Sequence, residues 1–176
     1  MPWHGHNMKI LRLNKFNLSI GFFILVVIAT LLFPHKKFIW NSTESMPKGL
    51  YYLTLKSHID CGDIVYFPVP DNVKHLVFVE RKWLPEFACL LKEVMAIEGD
   101  FVCENSTALK VKNVKGPVSS VDSLGRPLPL FVYCGLLKKD QLFVGDLQNW
   151  RSFDSRYFGP IDVKNVTGVA IPIWTF

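Results

Sequence analysis

The chain has 176 residues, room for one domain and an appendage, and carries 20 Lys and Arg against 15 Asp and Glu, a formal charge of +5. Lys9, Arg12, Lys15, Lys36 and Lys37 all precede residue 40, which leaves the remainder close to neutral. A nucleic-acid-binding domain would need its basic excess in a stripe on the folded surface, so that class is excluded.

The basic residues instead flank an uncharged run from Phe16 to Phe33. A helix needs roughly 17–25 mostly apolar residues to cross the hydrocarbon core, and this run just meets the requirement. It exits through Leu31-Leu32-Phe33-Pro34, without the small-x-small pattern of a cleaved signal peptide. The reading is a cytoplasmic tail over 1–15, an uncleaved transmembrane signal anchor over 16–33 and an extracytoplasmic domain over 38–176. Lys9, Arg12 and Lys15 before the run outnumber Lys36 and Lys37 after it, which favours the N-terminus inside. Cys61, Cys89, Cys103 and Cys134 form an even set, as suits an oxidising compartment. Three pairings are open, as is the alternative that some or all are buried thiols. No C-x-x-C pair is present, which argues against zinc.

Beyond the anchor, Pro, Gly and Asp punctuate short apolar runs, the pattern of an irregular, mostly β domain. Strands are predicted at Gly49–Leu55, Asp63–Phe67, Leu90–Ile97, Phe101–Glu104, Ala108–Val111, Gln141–Val144 and Thr167–Ile173. Asp71 is placed as the N-cap of a helix running toward Trp83, with Pro85 as its stop. The polar stretch from Lys112 to Pro129 reads as a long surface loop or extended hairpin. Met46 and the strand Ile64–Phe67 fit either a bilayer-facing surface or the core. Asn-x-Ser/Thr triplets begin at Asn41, Asn105 and Asn165 and matter only in a eukaryotic secretory setting.

The five histidines show no metal-ligand spacing and no Gly-rich phosphate loop occurs, so no metal or cofactor is expected. Two segments carry other chemistry. In Asn41-Ser-Thr-Glu-Ser-Met-Pro-Lys-Gly-Leu-Tyr51, Ser45 precedes Met-Pro and leads into a strand. In Leu90-Leu-Lys-Glu-Val-Met-Ala-Ile-Glu-Gly-Asp100, Lys92 lies in an apolar strand whose alternation puts it on one face with Leu90, Val94 and Ala96. Desolvation on such a face lowers a lysine pKa toward the range a general base needs. A serine hydroxyl needs such a base to become a nucleophile, and a Ser-Lys pair can replace a His-based triad. Each residue alone has a bland explanation: surface serine, or a lysine snorkelling to water. A third segment, Gly145-Asp146 followed by Ser152-Phe-Asp-Ser-Arg-Tyr-Phe-Gly-Pro160, lifts both.

These three blocks, in this order behind an N-terminal anchor, resemble the signal peptidase I family of serine/lysine peptidases. Ser-Met-Pro-Lys-Gly-Leu-Tyr, Gly125-Arg-Pro-Leu-Pro129 and Ser-Phe-Asp-Ser-Arg-Tyr-Phe-Gly-Pro resemble its TraF-type conjugative transfer subgroup. The resemblance covers roughly residues 38–176. It implies a signal-peptidase-like irregular β-barrel or sandwich, with Ser45 as nucleophile and Lys92 as base. It further implies that Thr43 and the Ser45 N–H hold the oxyanion, that Ser152 orients the lysine amine, and that Asp154 and Arg156 brace the loop. An ion pair with a purely structural role is the alternative for those last two.

The implied substrates are membrane-tethered precursors with small residues before the scissile bond. For the subgroup these are pilin precursors, cut or cut and cyclised, with the bilayer and conjugation-machinery components as surroundings. Glu93 departs from the family's arginine after the catalytic lysine, and Arg156 or Arg151 is expected to meet it. A general leader peptidase and an inactive pilin-assembly factor are the alternative functions.

Overall fold

The computed structural model describes residues 15–32, 38–105 and 108–176. The expected cytoplasmic tail, Lys15 apart, lies outside the described residues, as do Phe33 and the lysines after the expected anchor. The chain divides into two units, Met1–Lys37 and Phe38–Phe176. In the first, helix α1 spans Lys15–Leu32, and Phe22, Phe23, Ile24, Leu25 and Ile28 are exposed on it. Its 18 residues rise about 27 Å at 1.5 Å each. No helix among the described residues is long and apolar enough to cross a membrane.

The second unit is mostly β. In chain order it contains β1 (Phe38–Asn41), β2 (Gly49–Thr54), β3 (Ile64–Pro68), α2 (Asp71–Lys74) running into a π-helical turn (His75–Glu80), β4 (Cys89–Ala96) and β5 (Phe101–Glu104). There follow β6 (Ala108–Val111), β7 (Val114–Pro117), β8 (Tyr133–Leu136), β9 (Gln141–Gly145), α3 (Ser155–Phe158), β10 (Ile161–Asp162) and β11 (Gly168–Thr175). The strands form a seven-stranded sheet, β1-β2-β11-β3-β4-β9-β10, and a four-stranded sheet, β7-β6-β5-β8. Every predicted strand has its counterpart.

Four strands were not predicted: β1, β7, β8 and β10. β10 has two residues, β7 and β8 contain glycine, and the Phe-Ile-Trp-Asn of β1 does not alternate, so none carries the pattern that marks a strand. The expected loop from Lys112 therefore opens as a hairpin. Lys112 takes a positive φ of 55° at its tip, and β6 pairs with β7 on either side. The helix also differs from expectation. Pro70 is the N-cap, Asp71 lies inside the first turn, and the π-helical turn ends at Glu80. Val73 and Val77 point from it into the core.

Lys92 sits on the central part of the large sheet. β4 is buried on both faces as far as Lys92: Leu90 and Val94 join the main apolar cluster with Val65, Phe67 and Val144, while Leu91 packs with Met46, Tyr51 and Ala170. Met46, Val65 and Phe67 are thereby core residues, while Ile64 and Tyr66, on the other face of β3, are half-buried. A third cluster, with Val102, Leu109 and Phe143, fills the space under the small sheet. A disulfide joins Cys103 to Cys134, which face each other on β5 and β8; Cys61 and Cys89 are free thiols.

Candidate active site

Ser45 is presented by the turn 42–48 between β1 and β2, whose mouth is closed by the pairing of Asn41 with Gly49. Met46 is buried and pins the turn from below. Tyr51 Oη donates to the Pro47 carbonyl at 2.7 Å. Gly49 is required by space: a Cβ there would stand 2.0 Å from the Trp174 carbonyl oxygen on β11. Ser45 is half-buried and Thr43 exposed, with their hydroxyl oxygens 3.4 Å apart.

Lys92 is 2% exposed and donates to Ser152 Oγ at 2.8 Å. Burial disfavours its ammonium and brings its pKa down to about 8; Asp154 partly offsets this and Arg156 adds to it. No hydrogen bond joins Lys92 to Ser45.

Beneath Ser152 lies a buried ion pair. Arg156 donates from Nε to Asp154 Oδ1 at 2.8 Å and from Nη2 to Oδ2 at 2.6 Å, and both residues have no solvent exposure. Nη1 donates to the Pro117 carbonyl, and the second Nη2 hydrogen is shared among the carbonyls of Asp146, Asn149 and Ser152. The pair thus staples the loop 146–152 that carries Ser152. Asp154 also caps α3 through the Arg156 N–H. Burial alone would lower the Arg156 pKa, and the hydrogen bonds to Asp154 overcome it and push it up. A Cβ at Gly145 would lie 2.6 Å from the Asp154 carboxylate, so the glycine of the Gly-Asp pair makes room for this ion pair.

A cleft of about 710 Å³ runs past Ser45 and is walled by Glu93, Val94 and Met95 of β4 and by Gly145, Asp146 and Leu147. Glu93 is not met by Arg156 or Arg151, contrary to the sequence expectation. Arg156 is committed to Asp154, and among the described residues no salt bridge reaches Glu93. It faces the cleft, its carboxyl pKa raised by burial and by Asp146. Among the described residues no cluster of His, Cys, Asp and Glu suits a metal ion.

Three residues were missed by the sequence reading. Asn41, which opens the Ser45 segment and a glycosylation triplet but was given no role there, organises the turn around Ser45. Asn149 Nδ2 donates to the Glu44 carbonyl at 3.2 Å and ties the Ser152 loop to that turn. Glu104 is buried with neither carboxyl oxygen hydrogen-bonded. No period or spacing marks any of them, since each acts through contacts remote in sequence or through the backbone.

The second unit thus holds a buried lysine bonded to Ser152, a serine-bearing turn, and a cleft that runs past Ser45. A family profile described as "Signal peptidase, peptidase S26" matches residues 10–175, and the chain belongs to that family. The "Conjugal transfer protein TraF" of Agrobacterium fabrum (strain C58) is 33% identical over 150 residues, covering 77% of this chain and 81% of that protein. The "Plasmid transfer protein TraF" of Escherichia coli is 29% identical over 147 residues, covering 77% and 82%. A signal peptidase I from Enterococcus faecalis V583 overlays with a TM-score of 0.39 at 21% identity, covering 66% of this chain and 98% of that one.

Proposed function

We propose that this chain is a membrane-anchored serine endopeptidase that processes a membrane-tethered precursor, a conjugative pilin, through Ser45 and Lys92. The observation that carries the reading is Lys92: a lysine buried among apolar neighbours, brought to a pKa of about 8 and aimed by Ser152. Neutral Lys92 accepts the Ser45 proton as Oγ attacks the scissile carbonyl. Charge develops on the carbonyl oxygen, where the Ser45 N–H and Thr43 would donate to it. The C–N bond then breaks, Lys92 returns the proton to the leaving amine, and an acyl-enzyme remains on Ser45. Water releases it by hydrolysis; the amine of a chain end releases it by cyclisation. Asp154 and Arg156 support Ser152 from below without touching substrate.

In this reading residues 16–33 anchor the chain in a bacterial inner membrane, with residues 1–15 in the cytoplasm and 38–176 in the periplasm. The uncharged run, the lysines and arginine before it and the Cys103–Cys134 disulfide support that placement. The relatives named as conjugal and plasmid transfer proteins support a pilin precursor as substrate. Carbonate extraction tests the anchor, since a chain released into the soluble fraction is not embedded. Ser45→Ala and Lys92→Ala, made separately, are each expected to abolish precursor cleavage in cells. Normal processing in either variant overturns the assignment. Mass spectrometry of the pilin with and without this protein identifies the cut and separates hydrolysis from cyclisation. Lethality on loss of the gene would point instead to a general leader peptidase.

A further inference from the structure

The turn that presents Ser45 has few backbone bonds of its own, and one buried side chain stands in for them. Asn41 is 6% exposed and occupies the last position of β1. Its Oδ1 accepts from the Thr43 N–H at 3.1 Å and from the Thr43 hydroxyl at 2.7 Å. Its Nδ2 lies 3.1 Å from the Thr43 carbonyl, 3.0 Å from that of Met46 and 3.0 Å from that of Pro47. Two amide hydrogens serve three acceptors, so the carboxamide is fully engaged. It grips the turn on both sides of Ser45.

The count of hydrogens has a second outcome. A threonine hydroxyl owns one proton, and here Asn41 Oδ1 takes it, because a carboxamide oxygen can only accept. In the 3.4 Å contact between the two hydroxyls, Thr43 therefore offers a lone pair and Ser45 offers its proton. In this state Thr43 orients the nucleophile, and it can donate to an oxyanion only after its proton leaves Asn41.

We propose that Asn41 is a positioning residue of the site: its carboxamide fixes the turn around Ser45 and sets the direction of the Thr43 hydroxyl. This rests on the reading of Ser45 as the nucleophile. The alternative is that Asn41 merely stabilises the fold. Misplacing a reacting group by an ångström can cost about 10²-fold in rate, and residues acting as one unit give non-additive losses.

The test uses the full chain in detergent with a fluorescent β-lactam as the serine-acylating probe, following labelling rate against probe concentration and pH. Wild type, Ser45→Ala and Lys92→Ala provide the reference. Asn41→Ala is expected to lower the maximal labelling rate about 10²-fold while the half-saturating concentration stays near that of wild type. Combining it with Thr43→Val should cost much less than the product of the two single losses. Asn41→Asp keeps acceptors for Thr43 but turns a carboxylate toward three carbonyls. Its rate relative to wild type should rise as pH falls and that carboxyl takes up a proton. Asn41→Ala labelling at the wild-type rate per folded molecule overturns the inference. So does a loss that tracks only the melting temperature, or an Asn41→Asp ratio that is flat with pH. Absence of labelling at Ser45 in wild type, or wild-type labelling in Lys92→Ala, overturns the Ser-Lys reading itself.

Discussion

Lys92 and Ser152 are joined by a buried 2.8 Å hydrogen bond that ties the lysine amine of β4 to the loop before α3. They are 60 residues apart in sequence, and the bond exists because the Asp154–Arg156 pair fixes the loop that bears Ser152. A hydroxyl can accept from the ammonium and from the neutral amine alike, so the lysine stays aimed in both protonation states.

The activity should follow the titration of Lys92. Its pKa is lowered from 10.5 to about 8, and only the neutral amine accepts a proton. The rate of acylation is expected to fall about tenfold per pH unit below pH 8 and to level off above it. A pH–rate profile checks this. Ser152→Ala should reduce the maximal rate roughly 10- to 100-fold, because the amine is no longer held.

Removing half of the buried ion pair should hurt the fold more than the chemistry. Asp154→Ala leaves the Arg156 guanidinium buried without its carboxylate, a change that costs about 3–5 kcal/mol. Arg156→Lys keeps the charge but loses the two-pronged contact and most of the four carbonyl bonds, so it should also destabilise. Urea denaturation reads both.

Glu104 should make stability fall with pH. Burial, and then Asp154, push its pKa from 4.5 up to about 8, against a smaller lowering by Arg156. The folded protein therefore holds a proton that the unfolded chain gives up first. The stabilisation is full below pH 4.5 and is lost as pH rises to about 8. Lys92 works in the opposite sense: its depressed pKa favours folding above 10.5, and that stability is lost as pH falls through about 8. Glu104→Gln should flatten the pH dependence of Tm on the acid side of 8 and leave the Lys92 limb in place.

Gly145→Ala tests the room made for Asp154. With its Cβ 2.6 Å from that carboxylate and 2.9 Å from the Met95 side chain, something must shift. The expected cost is about 1–3 kcal/mol, together with a slower acylation rate as the Ser152 loop moves. A variant as stable and as fast as wild type would contradict the geometry.

The residues that make bonds by type were legible in the sequence. Lys92 stood out because an apolar strand cannot carry an ammonium cheaply, and Ser152, Asp154 and Arg156 lie together in one segment. The strands of the second unit were legible where apolar residues alternate, and invisible in β1, whose Phe-Ile-Trp-Asn does not alternate, and in β10, which has two residues. Asn41 and Asn149 were not legible because their partners are main-chain carbonyls, which every residue has. Glu93 was misjudged for a related reason. Sequence shows which charge is present but not which way a strand turns it, and here it looks into the cleft.

The order of strands in the large sheet has a consequence for timing. β2, which leads out of the Ser45 turn, reaches the sheet that holds Lys92 only through β11, which lies between β2 and β3. Until residues 168–175 have emerged and paired, the hairpin of β1 and β2 has nothing to join, and serine and lysine sit on separate pieces of chain. Pairing of β11 with β2 on one side and β3 on the other is the step that brings the Ser45 turn and Lys92 into one sheet.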